Sequence, residues 1–283
     1  MIWSPVVGAI ALAAGGLFER IVLMKRKISI KDYQVAHFFA IFLATIPFIF
    51  FFWEVKSSAF ELWKILVFIA IILVSIGANL FVFYSMKWEK LSRLEPAKMI
   101  EPLVVIILAI LFSFIFGEEL YERNTKIFIP ALVAGLALIG SHIQKHHLSF
   151  NKYFLSAMAG SFLFALELVL SRLLLDDYSP VSFYFIRVCG VLILSFLIFR
   201  PSLKFSNRVK FEIFLTGAVW TLYRIIVYYG YLNLGVIFTT LLVMLGPVFV
   251  YFFAWKFLKE KLSWRNILAT AIILGSVVYA VWG

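Results

Sequence analysis

Three charged side chains interrupt long apolar segments of the sequence. Glu167, Arg187 and Arg224 lie in three successive segments of this kind. An ionisable group inside a membrane costs about 2.5–3.5 kcal/mol on insertion scales, so such groups are functional hypotheses by default. Counting about 1.5 Å per helical residue from the segment ends places all three at a similar depth. They can therefore pair, with one positive charge in surplus.

That surplus charge suggests two roles for the trio. Paired guanidinium groups bind a carboxylate or phosphate in bidentate fashion, which predicts a substrate site. A permanent ion-pair lock between helices is the alternative, because buried charges must be paired for any purpose. Trp220, Tyr228 and Tyr231 recur with Arg224 at helical spacing. We expect these aromatic residues to line a cavity and stack on an organic solute, with ordinary packing as the alternative for each.

A second polar group is predicted nearer the other membrane face. Asn79 aligns with Arg224 in the internal repeat described below, and Glu101 and His37 fall on the same side. Glu19, at the end of the first span, falls there too, with placement at the membrane interface as its ordinary interpretation. Buried Glu and His side chains can change charge, which suggests a proton-coupling or gating site. The alternative for Glu101 is a salt bridge to Lys98 on the same helix face. For His37 the alternative is ordinary placement at the membrane interface.

The composition determines the class of protein. Of 283 residues 64% are hydrophobic and only 14% charged, an apolar excess that a soluble globule of this size cannot bury. A net charge of +11 indicates basic loop anchors at a membrane rather than a nucleic-acid partner. Spans of about 20 apolar residues predict an all-α integral membrane protein with ten transmembrane helices, at residues 2–23, 34–53, 63–86, 97–116, 127–143, 153–173, 181–199, 211–231, 236–256 and 265–282.

The distribution of basic residues predicts the topology. Most of the 26 Lys and Arg residues lie in odd-numbered connections between the ten spans. Because basic loops stay in the cytoplasm, these connections are predicted to be cytoplasmic and both termini external, in a multi-pass protein of the cell membrane. The sequence lacks a phosphate loop and GxSxG, HExxH and CxxC patterns. We therefore predict no enzyme activity, no cofactor and no metal site.

The two halves of the chain repeat their landmarks. Pro102 and Pro247 occupy equivalent spans, where each removes a backbone hydrogen bond and is predicted to act in gating. Residues 118–124 resemble residues 260–266 in the same way. We predict two five-helix repeats, 1–147 and 148–283, and an odd number of helices in each inverts the second. Inverted repeats are typical of secondary transporters, with the site at their interface.

These landmarks also resemble those of a known family. The pattern is a proline inside a helix, then a Gly-Glu pair, then a helix that contains glycine, and it resembles the drug/metabolite transporter superfamily, EamA type. The matching residues in the first half are Pro102, Gly117, Glu118, Gly135 and Gly140, and those in the second half are Pro247, Glu260 and Gly275. Lys259 stands where the family often has glycine. The resemblance implies a ten-helix bundle with a central cavity and alternating-access transport of amino acids, other metabolites or drugs. It also implies cytoplasmic termini, opposite to the charge distribution.

The leading interpretation is therefore a secondary transporter of small organic metabolites, such as amino acids or related zwitterionic or anionic solutes. One alternative is a carrier of organic cations or drugs that uses cation–π contacts with the aromatic residues. Another is a lipid-handling or scaffold membrane protein that transports no soluble compound. The predicted partners are a small-molecule substrate, the lipid bilayer and a coupling proton or ion, with no nucleic acid. The sequence leaves the oligomeric state open.

Overall fold

The protein is all-helical over the residues described by the computed structural model, which are 3–24, 28–89, 91–142, 151–249 and 264–282. The α-helices among them are α1 Trp3–Leu23, α2 Ile30–Phe52, α3 Leu62–Trp88, α4 Leu91–Lys98, α5 Ile100–Phe116, α6 Thr125–His142, α7 Lys152–Arg172, α8 Pro180–Phe199, α9 Asn207–Asn233, α10 Val236–Val243 and α11 Trp264–Trp282. A 3-10 helix spans Ser57–Phe60.

Among the described residues, eight helical stretches are long and apolar enough to cross a membrane, and two shorter apolar ones span Thr125–Ser141 and Val236–Phe249. Each of the ten predicted spans overlaps one of these ten stretches, which confirms the prediction of a helical membrane protein. Large apolar side chains such as Phe50 and Trp282 are exposed on the outside of the bundle, as expected for contact with lipid. The predicted boundary between the halves, at residues 147 and 148, lies outside the described residues.

Polar side chains cap the N-termini of three helices, directly before their apolar segments begin. The side chains of Ser29, Asn151 and Ser179 accept backbone N–H bonds at the N-termini of α2, α7 and α8. Each cap satisfies N–H groups that have no partner within the helix. Pro180 follows the Ser179 cap at the first helical position, where its missing N–H costs nothing.

The helices pack in pairs that join the two halves of the chain. Helix α3 packs on α7 and α1 on α9, while α2 contacts α8 and α6 contacts α11. Small residues allow the closest approaches, as is usual in membrane bundles. A Cβ at Gly217 of α9 would lie 2.8 Å from the Ala40 Cβ and 2.9 Å from the Ile41 nitrogen of α2.

Contacts between connections define the two ends of the bundle. At one end the Ser202 N–H donates to Asp32, and the Asn151 side chain donates to Glu89. We call this end, with the connections after α1, α3, α6 and α8, the basic end. At the other end Lys64 pairs with Asp177. We call that end the acidic end, because its connections contain Glu54, Glu61, Glu118, Glu119, Glu122, Asp176 and Asp177.

Two helices are broken in the middle of the bundle. The first break is at Met99, between α4 and α5, and the second is at Met244, after which the chain is helical again over residues 245–249. Pro102 and Pro247 each follow the break by three residues, within the first turn of the resumed helix. A proline there lacks an N–H that the first turn would not use. Each proline thus coincides with a one-residue irregularity of its helix, at the same position in each half.

Candidate functional site

Glu167 lies between the two arginines at the centre of the bundle. Its Oε1 accepts a hydrogen bond from Arg187 Nη1 at 2.8 Å, and its Oε2 lies 3.0 Å from Arg224 Nη1. The second contact is an ion pair whose atoms are not aligned for a hydrogen bond. The exposed fractions are 0% for Glu167, 3% for Arg187 and 5% for Arg224. The predicted pairing of these three residues is present in the structure.

Hydroxyl groups complete the surroundings of the carboxylate. Tyr228 donates to Glu167 Oε1 at 2.9 Å, and Ser171 donates to the same oxygen at 3.2 Å. Arg187 also donates to the Ser75 hydroxyl at 3.0 Å. Ser171 lies one helical turn after Glu167, so its contact was readable from the sequence. Ser75 is on α3, far from α8 in sequence, and no local pattern reveals that contact.

A cavity of about 330 Å³ lies beside this ion cluster. Arg187 and Arg224 line it, whereas Glu167 and Tyr228 are behind them and absent from the described lining. Tyr228 therefore contacts the carboxylate rather than the cavity. The other predicted residues that line it are Trp220, Tyr231, Asn79, Glu101, His37, Pro102 and Pro247.

Some lining residues were not assigned to the site by the sequence. Tyr184, Tyr223, Glu19 and Lys98 also face the cavity. Tyr184 lies under the Arg187 guanidinium, whose carbon is 5.0 Å from the ring centroid. The spacing of Tyr184 from Arg187 is three residues, a helical neighbour that could have been included. Glu19 falls near the end of its apolar segment, where an interfacial position was the ordinary expectation.

The end of the cavity nearer the basic end contains a buried acid–base pair. His37 Nε2 is 3.8 Å from Glu19 Oε1, and the exposed fractions of the two residues are 3% and 4%. The His37 ring stacks on Tyr33 with centroids 5.4 Å apart. His37 Nδ1 has no hydrogen-bond partner among the described residues. The pair brings two ionisable groups together at a distance slightly longer than a hydrogen bond.

Several buried donors of the lining residues make no hydrogen bond to the described part of the protein. Among the described residues, Arg187 Nε, Arg224 Nη1 and Trp220 Nε1 are buried without a hydrogen bond. A buried donor without a partner costs about 1–3 kcal/mol, so most such groups are satisfied by something in the working molecule. The three belong to residues that line one cavity. Arg224 Nη1 is ion-paired with Glu167 Oε2, whereas Arg187 Nε and Trp220 Nε1 have no partner among the described residues and could serve an acceptor-rich group.

Comparison with known families adds the decisive observation. Residues 151–282 match the EamA-like transporter family. The match covers slightly less than half of the chain and shows what that segment is similar to. It contains Glu167, Arg187 and Arg224, so the ion cluster lies within the EamA-like part of the chain. The family consists of membrane transporters of the drug/metabolite type, which agrees with the helical bundle and its central cavity.

A solved structure supports the fold over the whole length. One structure, described only as "Crystal structure of protein", has a TM-score of 0.67 over 99% of this chain and 95% of its own, with 14% sequence identity. Identity this low establishes similarity of the fold alone. The shared fold therefore covers both halves of the chain, including the first half, which lies outside the family match. No curated protein matches this sequence at a significant level.

Proposed function

We propose that the protein is a secondary transporter of small zwitterionic or anionic organic solutes, such as amino acids. The observation that supports this most directly is that Arg187 and Arg224 line the cavity while they share one carboxylate, Glu167, which leaves one positive charge in surplus within the cluster. An anionic group of the solute occupies the cavity in front of the arginines and accepts hydrogen bonds from them. Trp220 and Tyr231 contact the rest of the molecule, while Glu167 and Tyr228 hold the arginines in position.

The carboxyl groups of the cavity favour a solute that also has a cationic group. Glu101 and Glu19 line the cavity together with the arginines. A zwitterion can place its anionic group at Arg224 and its ammonium group toward Glu101. An organic cation is the second candidate, because the carboxyl groups and the ring of Trp220 that line the cavity also suit a positive charge.

The helix pairing supports two inverted repeats. Helix α3 packs on α7 as α9 packs on α1, and the breaks at Met99 and Met244 are 145 residues apart, as are Pro102 and Pro247. A two-fold relation between 1–147 and 148–283 exchanges these pairs. Broken helices at a repeat interface are typical of sites in secondary transporters. In this proposal the solute reaches the arginines from each side of the membrane in turn.

Glu19, His37 and Glu101 are the proposed coupling groups. All three line the cavity toward the basic end, and Asn79 lies beside them in the lining. Uptake of a proton by the Glu19–His37 pair would change the charge of the cavity without moving a helix. Coupling of this kind makes solute flux depend on a pH gradient, whereas Asn79 takes no proton and serves as a fixed hydrogen-bonding group.

We expect reconstituted protein to exchange zwitterions. Proteoliposomes loaded with an unlabelled mixture of amino acids should accumulate the radiolabelled mixture by counterflow, and protein-free liposomes should not. Competition by 2-oxo acids and by tetramethylammonium measures the preferred charge. Stronger competition by tetramethylammonium than by the oxo acids would favour the organic-cation alternative. Absence of flux for every solute, with a folded protein, would exclude transport of these compounds and favour the lipid-handling or scaffold alternative.

The proposed orientation places the basic end in the cytoplasm. The connection after α8 contains Arg200 and Lys204 and lies at this end with Asp32. In a Cys189→Ser background, Lys204→Cys should resist an impermeant thiol reagent applied outside intact cells and react after the cells are opened. Lys56→Cys, at the acidic end, is the matched control and should react from outside. Labelling in the reverse pattern would show that both termini are cytoplasmic.

A further inference from the structure

Two segments from opposite halves of the chain are tied together at the acidic end. Val55 and Tyr178 form an isolated antiparallel bridge. On one side of it the Ser179 N–H donates to the Glu54 carbonyl at 3.0 Å, and on the other the Lys56 N–H donates to the Asp177 carbonyl at 2.9 Å. We call the two segments, 52–58 and 176–182, the latch. They join the α2–α3 connection to the start of α8.

Side chains strengthen the latch around Asp177. Lys64 Nζ lies 2.8 Å from one carboxylate oxygen, and the Ser58 hydroxyl donates to the other at 2.5 Å. Partial burial alone would raise the pKa of Asp177, but the bonds from Lys64 and Ser58 hold it below its ordinary value. The paired state therefore favours the charged carboxylate. Ser182 adds a further contact, because its hydroxyl accepts the Glu54 N–H at 2.8 Å.

A layer of aromatic rings lies between the latch and the ion cluster. Phe183 contacts the rings of Phe68, Tyr178 and Tyr228 at centroid distances of 5.3, 5.9 and 5.2 Å. Tyr228 in turn donates to Glu167. These four rings are not among the described residues that line the cavity, and they fill the space between the latch and the Glu167 carboxylate. Toward the basic end the cavity continues to Glu19, four residues before the end of α1.

A second connection between the halves lies at the same end. The Glu122 carboxylate accepts the N–H groups of Val236, Ile237 and Phe238 at 3.0, 2.6 and 3.0 Å, and so caps α10 from outside its own half. Gly235, with φ 87°, precedes them, and a Cβ there would lie 2.5 Å from that carboxylate. Both connections thus close the acidic end, while the cavity lies beyond them.

We propose that the latch is the gate of the acidic end, and that it must separate for solute to pass. The proposal rests on the proposed transport function, because only alternating access requires this end to open. The latch is suited to reversible opening: it consists of a few hydrogen bonds and one ion pair between connections rather than of helix packing. Its rupture moves the start of α8, the helix that carries Arg187, away from α3.

Cross-linking tests the latch directly. Directly opposed residues of an antiparallel pair have Cα atoms about 4.5–5.5 Å apart, within reach of a disulfide. Val55→Cys with Tyr178→Cys, in a Cys189→Ser background, should cross-link on oxidation in membranes without solute. Counterflow of the amino-acid mixture should then stop and should return on reduction, while binding of the same mixture, measured by thermal shift, persists. The two single-cysteine variants, oxidised alike, are the controls and should keep their counterflow.

Each contrary result has a distinct meaning. Counterflow through the cross-linked protein would show that the latch does not open, and failure to cross-link would show that the segments are not paired. Loss of binding together with flux would mean that the latched form is not the solute-binding form; all three overturn the proposal. Absence of counterflow in the wild type and in the reduced variant would instead contradict the transport function itself, and the gate would fall with it.

A second pair of variants isolates the ion pair. Asp177→Ala removes the carboxylate bound to Lys64, and Asp176→Ala removes one bound to Arg172 within its own half. In the double-cysteine background, Asp177→Ala should slow cross-linking several-fold, while Asp176→Ala should leave the rate near its original value. Equal rates in the two variants would show that the ion pair does not hold the latch closed.

Discussion

Replacing Glu167 by glutamine is expected to destabilise the protein by about 3–5 kcal/mol, the largest loss we expect from a single substitution in the bundle. Glu167 is fully buried and is the carboxylate paired with both Arg187 and Arg224. The amide keeps the shape of the side chain but leaves two buried guanidinium groups without their counter-charge. Thermal unfolding of the detergent-purified protein, followed by tryptophan fluorescence, measures the loss.

Two further variants identify the cause. Glu118→Gln removes a carboxylate whose side chain is 61% exposed and which pairs with Arg123, so its effect should stay within about 1 kcal/mol. Combining Glu167→Gln with Arg224→Gln removes one of the unpaired charges and should recover part of the stability. If the double variant is as unstable as the sum of the two single variants, charge pairing does not explain the effect.

Arg224→Gln is expected to raise the half-saturation concentration for solute about 10- to 100-fold, while the protein remains folded. A hydrogen bond to a charged group contributes about 1.5–3 kcal/mol, and each 1.4 kcal/mol changes affinity about tenfold. Folding is expected to survive because Glu167 keeps its bonds from Arg187, Tyr228 and Ser171. Concentration-dependent counterflow and thermal shift with the amino-acid mixture measure the two effects.

The same helix supplies the control for this prediction. Arg208 lies near the start of α9, its side chain is 88% exposed, and it pairs with Glu212 one turn away. Arg208→Gln should leave both affinity and stability close to those of the wild type. Wild-type affinity in a well-folded Arg224→Gln variant would exclude a direct role of Arg224 in binding. A loss of stability alone, with normal affinity in the protein that survives, would identify the ion cluster as a lock between helices.

Much of the fold was predictable because membrane spans are defined by length and hydropathy. Ten apolar segments were sufficient to predict an all-helical bundle, and the caps at Ser29 and Ser179 were readable from local sequence. Helix pairing was not predictable in this way, since apolar segments are alike on all faces. The close approach at Gly217, for example, depends on which helix it faces.

The part of the site that was predictable consists of charged residues, because a charge inside a membrane span has a high free-energy cost. Glu167, Arg187 and Arg224 had to be paired, and a shared depth was enough to bring them together. The division between lining and supporting residues was not predictable, because Tyr228 and Tyr231 lie on the same face of one helix. One donates to Glu167 and the other faces the cavity. The latch was also not predictable from the sequence: its bridge consists of main-chain hydrogen bonds, and its side-chain bonds join segments about 120 residues apart.

The broken helices have a mechanical consequence. An intact membrane helix resists bending because each bend strains i→i−4 hydrogen bonds that water is not available to replace. At Met99 and Met244 the helical pattern is already interrupted, and Pro102 and Pro247 cannot restore it. Pivoting at these points therefore breaks no additional backbone bond at either proline. Each helix is therefore easier to bend at this point than an uninterrupted helix would be.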